Sequence, residues 1–135
     1  MFVIPPDRHS SQVAAKNIAS ASLTNKVQIV LGAAVDKLPS LTEDGTFDLA
    51  FIDADKQSNT EYFIHAKRLV RPGGVIIVDN VVRRGRVADP AQTDEGIEGV
   101  RRLLKHVKQD KGIESSTIAT VGEKGYDGFL YAIKK

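Results

Sequence analysis

The chain has 135 residues, 41% hydrophobic and 27% charged, with 19 basic against 17 acidic side chains and a formal net charge of +2. That length buries a core as one domain, and so small a net charge leaves no electrostatic footprint for nucleic acid. Cysteine is absent, which excludes disulfides and thiolate metal sites, and no apolar run reaches the ~18 residues of a membrane span. The first 20 residues lack the apolar core of a secretory signal, so a cytoplasmic protein with no membrane or nucleic-acid partner is expected.

Phe2-Val3-Ile4 is a short apolar run, ended by Pro5-Pro6, which cannot continue a ladder. From Asp7, a candidate N-cap, Val13, Ala14, Asn17, Ile18 and Ala21 keep to one helical face until Asn25 closes the helix. Val27-Gln28-Ile29-Val30-Leu31 reads as a strand turned by Gly32, and residues 35–38 as a helical turn cut off by Pro39. A polar loop over 42–46 leads to Phe47-Asp48-Leu49-Ala50-Phe51-Ile52, an apolar strand expected to be covered on both faces. Ser58-Asn59-Thr60-Glu61 then has the form of a capping box, and Tyr62, Phe63, Ala66, Leu69 and Val70 follow helical spacing. Arg71-Pro72-Gly73-Gly74 stops that helix before a second apolar strand, Val75-Ile76-Ile77-Val78.

Residues 81–93 form a polar loop of a length usually reserved for function. Over 94–111, Ile97, Val100, Leu103, Leu104 and Val107 share a face, with acids at the start and bases near the end, as the helix dipole favours. Residues 115–121 and 128–133 read as an antiparallel pair joined by residues 122–127, in which Asp127-Gly128 is a turn before the last strand. This alternation of strand and helix implies an α/β fold with a mainly parallel sheet and an antiparallel edge.

The chemistry gathers where the two apolar strands end in acid or amide, at Asp53 and at Asp79-Asn80. Open α/β sheets bind ligands at the carboxyl ends of their strands. Side by side, these ends bring together three oxygen donors, which suit a hard divalent cation such as Mg²⁺. Lys56 follows Asp53 by three residues and is within reach of whatever binds there. His9, His65 and His106 are scattered and read as surface or helix-face residues, and Arg83, Arg84 and Arg86 as a solvated loop.

Phe47-Asp48-Leu49-Ala50-Phe51-Ile52-Asp53-Ala54-Asp55-Lys56, Leu69-Val70-Arg71-Pro72-Gly73-Gly74, Asp79-Asn80-Val81, Gly85-Arg86-Val87 and Tyr126-Asp127-Gly128 together resemble the cation-dependent O-methyltransferases, the group of catechol and caffeoyl-coenzyme A O-methyltransferases. The resemblance implies a Rossmann-like class I methyltransferase sheet, mostly parallel with an antiparallel C-terminal strand. It also implies S-adenosylmethionine and Mg²⁺, or another hard divalent cation, as cofactors, and a catechol-like vicinal diol as substrate. By the same resemblance Asp53, Asp79 and Asn80 hold the metal, and Lys56 is the general base that touches the substrate hydroxyl. Asn80 also touches the substrate oxygens, Asp53 lies near the methionine part of the cofactor, and Ala34 in Gly32-Ala33-Ala34 offers its backbone amide to the adenine.

The family pattern opens with a strand and a glycine-rich loop that have no counterpart in these residues, and Val3 stands where an acidic ribose ligand is usual. A truncated form is therefore expected, with S-adenosylmethionine binding weakened or lost unless another chain replaces the missing part. An exposed sheet edge left by that gap would favour a homo-oligomer. Two alternatives remain open: a catalytically inactive methyltransferase-like module for oligomerisation or binding, and a phosphoacceptor receiver domain. The second would need an acidic pair where Pro5-Pro6 stands.

Overall fold

A computed structural model describes residues 1–123 and 125–135, which group into two compact units, Met1–Leu41 and Thr42–Lys135. In the first unit, β1 (Phe2–Val3) and β2 (Gln28–Ile29) pair in parallel across α1 (Arg8–Ser20). Asp7 caps α1 as expected, its carboxylate accepting from the Ser10 N–H at 2.9 Å. The helix ends earlier than Asn25. Ser22 takes the left-handed conformation (φ 58°), and the Ser22 and Leu23 N–H groups bond back to the Ala19 and Ile18 carbonyls. That doubly bonded exit satisfies the last carbonyls without a glycine. Past β2, α2 (Ala34–Lys37) runs into a 3₁₀ turn, Leu38–Ser40, that Pro39 sustains and does not break, because a first-turn proline has no N–H to lose.

The second unit is a four-stranded sheet in the order β3-β4-β6-β5, from β3 (Phe47–Ile52), β4 (Val70–Val78), β5 (Ile113–Gly122) and β6 (Gly125–Lys134). The strands β3 and β4 pair in parallel and β6 is antiparallel to both its neighbours, so the C-terminal strand alone runs backwards, as anticipated. The β5–β6 ladder extends to Gly122↔Gly125, so residues 125–127, expected in a connection, are strand; Lys124 of that connection lies outside the described residues.

Two helices, α3 (Asn59–Leu69) and α4 (Glu95–Gln109), carry the apolar residues that bury one face of this sheet. Phe63, Ala66, Ile97, Val100 and Leu103 are buried, as are Ile52, Ile76, Val78, Leu130 and Ala132 of the strands. Alternation along a pleated strand sends Leu49 and Phe51 to the opposite side, where they are 54% and 60% exposed. The expectation that β3 is covered on both faces therefore fails: among the described residues β3 is an edge strand with β4 as its neighbour. Val70, read as helical, opens β4, and the three residues after it loop out where the register jumps from Phe47↔Val70 to Leu49↔Val75, with Gly73 at φ 77°.

Candidate functional site

The register aligns Ile52 with Val78, and the Asp79 N–H donates to the Ile52 carbonyl at 3.0 Å. Asp53 and Asp79 therefore leave the sheet at the same level on adjacent parallel strands. Asn80 follows with φ 59°, a left-handed conformation that asparagine tolerates better than other side-chain-bearing residues. Its backbone N–H donates to Asp79 Oδ1 at 2.7 Å, and its Nδ2 to Asp127 Oδ2 at 3.4 Å.

Lys56 begins a 3₁₀ turn, Lys56–Ser58, directly after the strand. Its Nζ donates to Asp53 Oδ1 at 3.0 Å, with the lysine side chain 10% exposed and the aspartate 50% exposed. The turn is held from behind by α4. Gly99 lies so close that a Cβ there would be 2.1 Å from the Lys56 carbonyl oxygen, and Arg102 Nη2 donates to the Gln57 carbonyl at 3.1 Å. Because this turn runs into α3, the predicted capping box does not form: Ser58 precedes the helix at φ −98°, ψ 7° without a cap bond. Its side chain is instead bonded to Asp55.

Asp55 also accepts from the buried Tyr62 hydroxyl. Burial pushes the Asp55 pKa up, but the bonds from Ser58 and Tyr62 outweigh it and hold the carboxyl below its usual value. The Tyr62 phenol is pushed up to about 12, first by burial and then by its bond to the Asp55 carboxylate.

Sequence reasoning missed two contributors. The sequence reads Asp127 as part of a turn, yet it lies in β6 opposite Thr120, and its Oδ1 accepts from the backbone N–H groups of Val82, Arg83 and Gly128 at 3.2, 2.8 and 2.8 Å. Burial raises its pKa, but those N–H bonds, with the Asn80 amide, bring it below the ordinary carboxylate value. Arg101, on α4, donates to the carbonyls of Val87, Gln92 and Asp89 and so straps the 81–93 loop to the helix. Arg86 of the same loop pairs with Asp94, the residue that caps α4, so the loop is bonded and not simply solvated. Between loop and helix is an apolar groove of about 380 Å³, lined by Val81, Val82, Val87, Ala88 and Leu104 beside Arg101.

The sequence of the O-methyltransferase family, taken as a family model, matches residues 1–134. The chain belongs to that family. It is 45% identical over 137 aligned positions to the catechol O-methyltransferase of Niastella koreensis, covering all of this chain and 62% of the relative. With the catechol O-methyltransferase of Mycobacterium tuberculosis the identity is 42%, over 91% of this chain and 55% of the relative. Among solved structures, the O-methyltransferase TomG of Streptomyces achromogenes, in complex with SAM, superposes with a TM-score of 0.93 at 41% identity, covering 99% of this chain and 61% of that one. The Bacillus cereus O-methyltransferase, in complex with SAH, gives 0.92 at 39% identity, over 99% and 62%. The chain thus has the class I O-methyltransferase fold and spans about three-fifths of the length of these relatives.

Of the residues singled out in the sequence, Asp53, Lys56, Asp79 and Asn80 all belong to the second unit, at the ends of β3 and β4. Ala34 belongs to the first, where it opens α2 after Gly32 at φ 137°. As the first residue of a helix, its N–H has no partner within the helix. No group of three or more His, Cys, Asp or Glu side chains converges among the described residues. The donor set at the strand ends is two carboxylates and one carboxamide, and in each of the three one oxygen remains outside the bonds to Lys56, the Asn80 N–H and Asp127. Carboxylate and carboxamide oxygens are the donor chemistry that a hard cation of the Mg²⁺ kind takes. No helix of the described residues is long and apolar enough to cross a membrane.

Proposed function

We propose that this chain carries the cation and base corner of an S-adenosylmethionine- and divalent-metal-dependent O-methyltransferase acting on catechol-like vicinal hydroxyls. The observation that carries the proposal is the arrangement of Asp53 and Asp79 at one level of adjacent strands, with the nearly buried Lys56 Nζ 3.0 Å from Asp53. Asp53, Asp79 and Asn80 would hold the cation through their remaining oxygens. When bound, that cation supplies Lewis acidity to a vicinal diol, and S-adenosylmethionine supplies the methyl group.

The chain's own part is positional and basic. In this reading Lys56 Nζ takes up the proton of the hydroxyl that is methylated, and Asp53 steers the lysine through their hydrogen bond. Asn80 orients the diol oxygens. The groove beside Val81 receives the apolar ring, because Arg101 already spends its donors on loop carbonyls and leaves the lining apolar. The same reading gives Asp53 a place near the methionine part of the cofactor. Holding the hydroxyl in line with the methyl group supplies much of the rate.

The exposed Leu49 and Phe51 on the β3 edge support one further element of the proposal, self-association into a homo-oligomer. Calorimetric titration of S-adenosylmethionine and of Mg²⁺ into the 135-residue chain, followed by mass analysis of catechol incubated with both, tests the reading. Saturable Mg²⁺ binding is expected, with S-adenosylmethionine binding and a methylated catechol only where a second copy of the chain completes the cofactor site. Absence of Mg²⁺ binding refutes the cation corner; Mg²⁺ binding without S-adenosylmethionine binding favours the non-catalytic module, and sedimentation then asks whether it is an oligomer.

A further inference from the structure

The turn that follows β4 is an unusual piece of backbone. Asn80, Arg83 and Arg84 all have positive φ, at 59°, 52° and 57°, and none is glycine. Conformations of this kind persist only where the surroundings over-determine them. Here the surroundings are mostly one side chain. Asp127, reaching from β6, accepts the backbone N–H groups of Val82 and Arg83 on Oδ1 and the side-chain amide of Asn80 on Oδ2. The neighbouring contacts reinforce it. The Val81 N–H donates to the Gly128 carbonyl at 2.9 Å, Tyr126 donates its hydroxyl to the Arg84 carbonyl, and Gly128 has no room for a Cβ, which would meet Val82 Cγ2 and the Ile118 carbonyl oxygen at 2.7 Å.

An amide has a donor end and an acceptor end that differ little in shape, so a neighbour must decide which way it faces. An ionised carboxylate only accepts, and Asp127 therefore fixes Nδ2 of Asn80 toward β6 and leaves Oδ1 as the end turned away. We propose that Asp127 is a positioning residue, selecting the amide orientation of Asn80 that offers oxygen and not NH₂ at the strand ends. The inference rests on the reading of those ends as a cation site and adds to it the residue that makes the asparagine a competent ligand.

The test is Mn²⁺ binding to the full chain, followed by electron paramagnetic resonance, in four proteins: wild type, Asp127→Asn, Asn80→Asp and the double variant. Asp127→Asn keeps an oxygen for the three backbone N–H groups but puts NH₂ against the Asn80 amide. The Asn80 amide then turns over and presents NH₂ to the metal. Affinity should fall at least tenfold, in the range typical when a partner that orients a metal ligand is lost. In the double variant the carboxylate of Asn80→Asp has oxygen at both ends, and the Asp127→Asn amide donates to one of them, so affinity should return to within about threefold of Asn80→Asp alone. A purely structural Asp127 would not allow that rescue.

Equal Mn²⁺ affinity in wild type and Asp127→Asn overturns the inference and leaves the cation site standing. A loss that the double variant does not restore also overturns it. Wild-type protein that binds no Mn²⁺ removes the cation site and the inference together. Should Asp127→Asn fail to fold, the wild type reads the same question by NMR: on Mg²⁺ addition the Asn80 carboxamide carbon should shift while its NH₂ protons stay protected from exchange. Loss of that protection would overturn the proposal.

Discussion

Gly99→Ala tests whether α4 sets the position of Lys56. The atoms a new Cβ would meet are the Lys56 carbonyl oxygen at 2.1 Å, its carbonyl carbon at 2.6 Å and the Gln57 Cα at 2.7 Å, all backbone. None of them can rotate away. Ordinary contact begins near 3.4 Å, so helix and turn must part by roughly 1 Å, and the Arg102 bond to the Gln57 carbonyl stretches with them. Overpacking of this kind costs about 1–3 kcal/mol, against which alanine in place of a helical glycine returns about 1 kcal/mol. The expected net loss is then about 0–2 kcal/mol, read as a lowered urea midpoint. The effect on chemistry should be larger, because a displacement of about 1 Å in a reacting group can cost on the order of 10²-fold in rate. Gly96→Ala is the internal control: one turn earlier on the same helix, its Cβ would meet the Lys56 Cβ at an ordinary 3.8 Å and the movable Asp94 carboxylate at 3.3 Å. That variant should stay within about 0.5 kcal/mol of neutral, since propensity gain and cap adjustment nearly offset each other. A Gly99→Ala protein that equals Gly96→Ala in both midpoint and methyl transfer refutes the argument.

Lys56→Met keeps an unbranched apolar chain out to Cε, with sulfur at the Cδ position, in place of a side chain that is 10% exposed, and removes the amine. Methyl transfer to catechol should fall by about 10²-fold or more, with Mn²⁺ binding intact, as measured by product mass and spin resonance. Asp110 is pushed up by burial, but its bonds from Lys67 at 2.7 and 2.6 Å, and then that of the Gly112 N–H, outweigh this and depress its pKa below 3.8. A depressed carboxylate contributes stability that is fully present above its unfolded value and is lost as pH falls through the folded one. Urea midpoints of wild type and Asp110→Asn should therefore differ at pH 7 and converge only as pH falls past the usual carboxylate value and through the lowered folded one. The Tyr62 phenol should ionise at about 12, so Tyr62→Phe removes a step at that pH from the alkaline absorbance titration.

The parts of this fold legible in sequence are those whose signal is local and repeated. The helix α4 announced itself through Ile97, Val100, Leu103 and Val107, and these four are buried. The strand ends at Asp53 and Asp79 were equally legible, because an apolar run that stops in acid has few other meanings in an α/β alternation. What escaped was set by neighbours distant in the chain. Gly99 reads in sequence as a weak helix residue, and only the approach of the Lys56 turn gives it a purpose. Asp127 was mistaken for turn chemistry because Asp-Gly favours turns, whereas the β5–β6 ladder absorbs it and frees its carboxylate to reach the β4 exit. Ser58 matched a capping motif but entered a 3₁₀ turn, in which its side chain serves Asp55.

The corner is thus assembled by three separate supports. The β3–β4 register fixes Asp53 beside Asp79, α4 seats Lys56 through Gly99, and β6 fixes Asn80 through Asp127. The last two share no contact: Gly99 meets Lys56 and Gln57, while Asp127 holds Asn80, Val82, Arg83 and Gly128. Substitutions without shared partners usually add within about 0.5 kcal/mol, so Gly99→Ala and Asp127→Asn should be additive in urea stability. They should also separate in function, the first lowering methyl transfer with Mn²⁺ affinity kept and the second lowering Mn²⁺ affinity first. A coupling energy of about 1 kcal/mol or more in the double variant would mean that the Lys56 turn and the Asn80 turn move as one body. Base and cation ligands would then be set together, and the three-support account would be wrong.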